Sequence, residues 1–109
     1  MRDPDASRGG FFHWVVYDIR PSQHGIAAGA SFPSAADGRN DAGSTGYFGP
    51  CPPPGKVHHY VFTLYALDVA AIEAGQPMDA RQVEKRMQGH ILARASYTGL
   101  RSATGEGER

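Results

Sequence analysis

A mainly β domain with a single helix is what the sequence predicts, on three observations. Phe11-Phe12-His13-Trp14-Val15-Val16-Tyr17-Asp18-Ile19 is a run of aromatic and β-branched residues, apolar on both faces, which suits an interior strand. A second such run covers Val57 to Leu67. Helix signals occur only once, after Gly75-Gln76-Pro77-Met78, where Asp79 can cap a segment in which Val83, Met87 and Ile91 recur every four residues.

The connecting elements follow in order. Arg20-Pro21-Ser22 ends the first run, and from Gln23 to Gly49 the chain is rich in Gly, Ala, Ser and Asp without a sustained period, so a long irregular connection is expected there. Within it, Arg39-Asn40-Asp41-Ala42-Gly43-Ser44-Thr45-Gly46-Tyr47 has the Asn/Asp/Gly spacing of tight turns with positive φ. Gly89 weakens the end of the helix, Ala95 to Leu100 can form a last short strand, and residues 102–109 read as a polar, disordered tail after a single domain spanning 1–101.

Composition narrows the functional classes. With 109 residues there is room for one modest core. Eleven basic residues balance eleven acidic ones, so no global field draws the chain to nucleic acid or an anionic membrane, and any anion selectivity must be local. Cys51 is the only cysteine, which excludes an intrachain disulfide and a CxxC site and suits a reducing compartment; packed as a small apolar residue, it needs no reactivity. No apolar run approaches the roughly 20 residues of a membrane span, and Met1-Arg2-Asp3-Pro4-Asp5 has no apolar signal core, so the expectation is a soluble, cytoplasmic protein.

The most informative stretch is Gly49-Pro50-Cys51-Pro52-Pro53-Pro54-Gly55-Lys56-Val57-His58-His59-Tyr60. Four prolines in five positions fix φ and remove four N–H donors, giving a stiff loop that cannot join a ladder. Period-two alternation then puts His58, Tyr60, Phe62 and Leu64 on one strand face and His59, Val61, Thr63 and Tyr65 on the other. Imidazole and phenol stand side by side at the strand's mouth, beside a proline wall.

With these pieces in order, the chain resembles the phosphatidylethanolamine-binding protein family, and within it the bacterial Raf-kinase-inhibitor-like branch. The resemblance rests on Asp3-Pro4-Asp5-Ala6, His13-Trp14-Val15-Val16-Tyr17, Asn40-Asp41-Ala42-Gly43, Gly46-Tyr47-Phe48-Gly49-Pro50-Cys51-Pro52-Pro53, His58-His59-Tyr60, Leu64-Tyr65-Ala66-Leu67-Asp68 and Gly89-His90-Ile91-Leu92-Ala93, over about residues 3 to 100. It implies a β-rich α+β fold: a large antiparallel sheet, peripheral helix, and a small anion pocket at one end of the sheet. Carried over by position, the pocket residues are Asp3, His13, Gly49, Pro50, Pro52, His58 and Tyr60. Family members carry further strands ahead of the Asp-Pro-Asp motif, so the chain reads as truncated at its N-terminus, with a bare sheet edge that invites a homodimer. Ser7 stands where the family usually has proline.

The chemistry of that set is sensible by itself. Imidazoles, a phenolic O–H and loop N–H groups supply several donors to a phosphate or carboxylate without a net positive domain, and an aspartate can fix one imidazole tautomer. The function implied is non-catalytic binding of a small phosphoryl or other anionic ligand, with no cofactor. Reading a phosphorylated protein partner through the same pocket is the alternative, and a metal enzyme using His13, His58, His59 and Asp3 is a more distant one, since adjacent His58 and His59 point to opposite faces. From the residues alone, Asp3 and Asp5 also read as solvated turn residues and His13 as a hydrogen-bonded core histidine; His59 faces away from the pocket, and His24 and His90 read as surface residues.

Overall fold

The computed structural model describes residues 1–6, 9–30, 32, 35–73 and 75–103. Ser7 and the tail from residue 104 lie outside them. The elements are β1 (Arg2–Asp3), β2 (Phe11–Phe12), β3 (Val16–Tyr17), β4 (Ala36–Asp37), β5 (Val57–Leu67), α1 (Ala80–Met87) and β6 (Ile91–Ser102). Four of them form an antiparallel sheet in the order β2-β1-β5-β6, and β3 pairs with β4 in a separate two-stranded ladder.

β5 has the bounds that its β-branched and aromatic run predicts. The first run differs: instead of one strand over 11–19 there are two short pieces, with His13 to Val15 between them irregular. The backbone there serves other segments. His13 and Trp14 N–H both donate to the Met1 carbonyl, the Val15 carbonyl accepts from Gly38 N–H, and the His13 carbonyl accepts from Phe48 N–H. The run ends at Asp18, with φ 60, before the predicted Arg20-Pro21-Ser22 stop.

The last strand is twice the predicted length, running from Ile91 to Ser102 rather than from Ala95 to Leu100. Its pairing with β5 runs the full length of both. Two residues assigned to the tail are ordered: Ser102 is in the strand, and Ala103 is buried and bridges Pro54, with Gly55 N–H donating to its carbonyl.

α1 opens as its sequence predicts. The Asp79 carboxylate accepts from Gln82 N–H at 2.9 Å while the Gln82 side chain accepts from Asp79 N–H at 3.0 Å, a reciprocal cap. Val83 and Met87 are buried, but Ile91 is not on the helix; Gly89, at φ 82, turns the chain and Ile91 starts β6. Val15, Tyr17, Ile72, Met78, Ala80, Val83 and Met87 make the core, with Tyr65 and Leu67 from the far end of β5 packed against it. Gly38 passes this core so closely that a Cβ there would collide with the Met78 carbonyl.

Asn40 organises the turn predicted around it, where Gly43 and Gly46 have φ 91 and 94. It is buried; its side-chain oxygen accepts from Ala42 and Ser44 N–H, and its amide donates to the Gly46 carbonyl and Ser44 Oγ. Asp41 ties the turn to β2 by accepting from Phe12 N–H and donating to the Phe12 carbonyl.

β6 is an edge strand, and all its residues but Gly99 are exposed, Tyr97 at 74% and Leu92 at 69%. The other edge of β5 carries only the Arg2–Val61 pair. The radius of gyration of 14.7 Å exceeds the about 13 Å of a compact chain this size.

Two outcomes test this description. Asn40→Ala strands Ala42 N–H, Ser44 N–H and the Gly46 carbonyl in a half-buried turn, and is expected to lower unfolding free energy by about 2 kcal/mol in urea denaturation. The Met1 ammonium donates to the Trp14 carbonyl at 2.7 Å, and burial pushes it down to about 6 from 8.0. Between those values the unfolded chain binds the proton and the folded chain does not, so this group's contribution is complete above pH 8, is lost as pH falls to about 6, and is flat below. Stability of the 109-residue chain should drop by about 2 kcal/mol over that window, and acetylating the amine should abolish that component.

Candidate functional site

The Asp-Pro-Asp motif and the His-His pair lock together across the β1–β5 junction. The Asp3 carboxylate accepts from His58 Nδ1–H at 2.6 Å with one oxygen and from Asp5 N–H at 2.8 Å with the other. Two residues on, Asp5 accepts from both the backbone N–H and Nδ1–H of His59 at 2.7 Å. Strand alternation sends His58 and His59 to opposite faces, so two acids separated by one proline grip both sides of the strand. The outer pair is exposed; the His59 backbone N–H first, then its imidazole, holds the Asp5 carboxyl below the ordinary carboxylate range. The inner pair is not exposed: Asp3 is 3% accessible and His58 9%.

His13 reaches the same place from the irregular stretch after β2. Its Nδ1–H donates to the Phe48 carbonyl at 2.7 Å, while Phe48 N–H donates back to the His13 carbonyl at 3.0 Å. This reciprocal clamp sets the entry of the proline loop against the histidine. The ring is packed by Phe11, with centroids 4.7 Å apart, by Phe48 at 5.8 Å and by the edge of Tyr60 at 5.4 Å. Tyr60 in turn stacks beside His58 at 6.4 Å, so the phenol stands between the two imidazoles.

With both Nδ1 atoms engaged, His13 Nε2, His58 Nε2 and the Tyr60 hydroxyl are left without a protein partner among the described residues. His13 is 5% and Tyr60 4% accessible, yet no buried side-chain nitrogen or oxygen among the described residues lacks a partner, so all three atoms reach solvent. Cavities of about 90 and 210 Å³ lie elsewhere, beside Asp41 and Arg81 and beside Tyr17 and Gln76. Burial, then the charges of Asp3 and Cys51, pushes the Tyr60 phenol up to about 12, which keeps it an O–H donor.

Of the seven predicted residues, Asp3, His13, His58 and Tyr60 stand together. Pro52 is buried, Pro50 half-buried and Gly49 exposed; Gly49 directly follows the clamped Phe48, but no hydrogen bond among the described residues joins these three to the imidazoles. Cys51 is exposed, contrary to the packed position expected, because the prolines around it hold the loop out of any ladder. The metal alternative finds no support, since no three His, Cys, Asp or Glu among the described residues stand close enough to hold an ion and His59 is turned to Asp5. His24 is exposed, and His90 pairs with Asp68 at the surface. Sequence reasoning missed Phe11 and the Phe48 carbonyl, which hold His13; an alternating aromatic and histidine pattern (Phe11, His13) was the available signal.

A small β domain with a carboxylate-anchored imidazole, a second imidazole and a phenol at one end of its sheet is a defined class of binding site, and its lineage can be stated. The profile of the phosphatidylethanolamine-binding protein family matches residues 1–102, and the chain belongs to that family. An Aquifex aeolicus relative, a UPF0098 protein, is 44% identical over 107 residues, covering 92% of this chain and 61% of its own length. The UPF0098 protein YbhB of Escherichia coli is 38% identical over 105 residues, covering 90% of this chain and 66% of its own. Among solved structures, the Chlamydia trachomatis homolog CT736, described as a putative phosphatidylethanolamine-binding protein, superposes with a TM-score of 0.86 at 36% identity, covering 94% of this chain and 68% of that one. The chain thus spans about two thirds of the length of these proteins.

The grip on the strand has a measurable consequence. Asp3→Ala leaves a buried imidazole without its acceptor and should cost about 3 kcal/mol in chemical denaturation, with Asp3→Asn, which keeps an oxygen, losing about half as much. Asp5→Ala, at an exposed pair, should change stability far less than either.

Proposed function

We propose that the protein is a non-catalytic binding protein whose notch of His13, His58 and Tyr60 takes a small phosphoryl group or a comparable oxyanion. The observation that carries this reading is the trio of unpartnered polar atoms on three nearly buried side chains. They reach solvent with no protein partner, so they are free to meet a ligand, and an oxyanion matches all three at once. Because each Nδ1 already donates, a neutral ring offers an acceptor at Nε2 and only the protonated ring offers an N–H there. Anion capture is therefore coupled to proton uptake by the imidazoles. Asp3 holds the His58 ring in place, and the Phe48 carbonyl does the same for His13.

Catalysis is not part of the reading. A phenol raised to about 12 is a poor nucleophile near neutrality, and the tethered imidazoles have no serine or thiol among their hydrogen-bond partners. A phosphorylated protein partner is the second reading, supported by exposed Phe48, which packs on the His13 ring and would touch residues beside a phosphorylated side chain. Both readings suit a protein of the cytoplasm, and the bare edge of β6 suits pairing of two copies.

Phosphorylethanolamine titrated into wild type should move the ring signals of His13 and His58 in NMR, with affinity rising as pH falls. His58→Ala should weaken binding by about tenfold or more. Unmoved rings at millimolar ligand would sink the site. A phosphopeptide binding more tightly than the bare head group would select the second reading.

A further inference from the structure

β6 brings one more group to the notch. Its register with β5 sets Arg101 directly opposite His58 and Gly99 directly opposite Tyr60. Directly opposed residues in an antiparallel pair share a face, with Cβ atoms about 5 Å apart, so Arg101 stands on the face that carries His58 and Tyr60. Gly99 contributes no side chain there, and a Cβ built on it meets nothing within 4 Å, so the strand position opposite Tyr60 is open. The end of β6 is pinned beside the proline loop, because buried Ala103 bridges Pro54 and accepts from Gly55 N–H at 3.1 Å. Arg101 is thereby held two residues from a fixed point.

Its charge is uncommitted. Arg101 is exposed and has no ion pair or side-chain hydrogen bond among the described residues. Asp3 is paired with His58, and Asp5 with His59 on the opposite face. Its positive charge is also felt at the Tyr60 hydroxyl, opposing the upward push of Asp3 and Cys51.

We propose that Arg101 completes the notch from the β6 side as a guanidinium clamp, and that the site consequently selects phosphate monoesters, which carry two negative charges, over phosphodiesters, which carry one. The inference rests on the anion-binding reading of the notch. The imidazoles and phenol meet one face of the phosphoryl group, and the forked N–H groups of arginine meet the terminal oxygens that a monoester exposes and a diester has alkylated.

The test is a titration of wild type, Arg101→Gln and Arg101→Lys with phosphorylethanolamine, a monoester, and with dimethyl phosphate, a diester, at pH 7 and low salt. Backbone NMR spectra verify that each variant is folded. Wild type should prefer the monoester by about tenfold or more, and Arg101→Gln should lose about tenfold in monoester affinity while diester affinity changes by less than about threefold. Arg101→Lys should recover part of the loss, and the salt dependence of monoester binding should be shallower in Arg101→Gln. Monoester binding by Arg101→Gln as tight as wild type overturns the clamp and leaves the notch standing. Binding of neither ester by wild type overturns the notch and the clamp together.

Discussion

The hydrogen bond between Asp3 and His58 is the constraint on which the rest depends. It joins residues 55 positions apart at 2.6 Å and is nearly shielded from water. Sequestering a carboxylate and an imidazole costs several kcal/mol in desolvation, so the pair persists only because both groups are fully used. Asp3 spends its second oxygen on the turn to Asp5, and the ring is braced by Tyr60. In return β1, which is only two residues long and has a single paired residue on β5, is fastened to the long strand by side chains rather than by a ladder. The same bond fixes which ring nitrogen carries the proton and which faces solvent, so a tertiary fastening and the chemistry of the site are one interaction.

The sheet keeps that site apart from the core. Along β5 the buried side chains change face: His58 and Tyr60 point inward at its start, whereas Tyr65 and Leu67 pack on the helix-side core at its end. The first set stands with Asp3 and His13, and the second packs on the α1 layer. A polar cluster can thus be tuned at one end of the strand without opening a void among Val83, Met78 and Met87 at the other.

Much of this was legible from residue order. β5 and the reciprocal cap at Asp79 follow from local propensity and hydrogen-bonding chemistry, and the four clustering site residues follow from the ordered motifs. The interruption at His13 was not legible, because its cause is nonlocal: the backbone of 13–15 is claimed by Met1, Gly38 and Phe48. Ile91 fits a helical period as well as it fits a strand, and only the left-handed Gly89 decides between them. The length of β6 was hidden for another reason. Nearly every residue in it is exposed, so it has no burial alternation to read, and its extent is dictated by the partner strand.

Arg101 illustrates the deeper limit. In sequence it is a charged residue near a polar terminus, indistinguishable from its neighbours by composition or spacing. Its significance comes from register alone: a slip of one residue along β5 would send its side chain to the opposite face, the one that carries His59. The pairing actually present sets Arg101 opposite His58 and a glycine opposite Tyr60. Long-range register, rather than any motif, therefore sets which charged side chain shares the face of His58 and Tyr60.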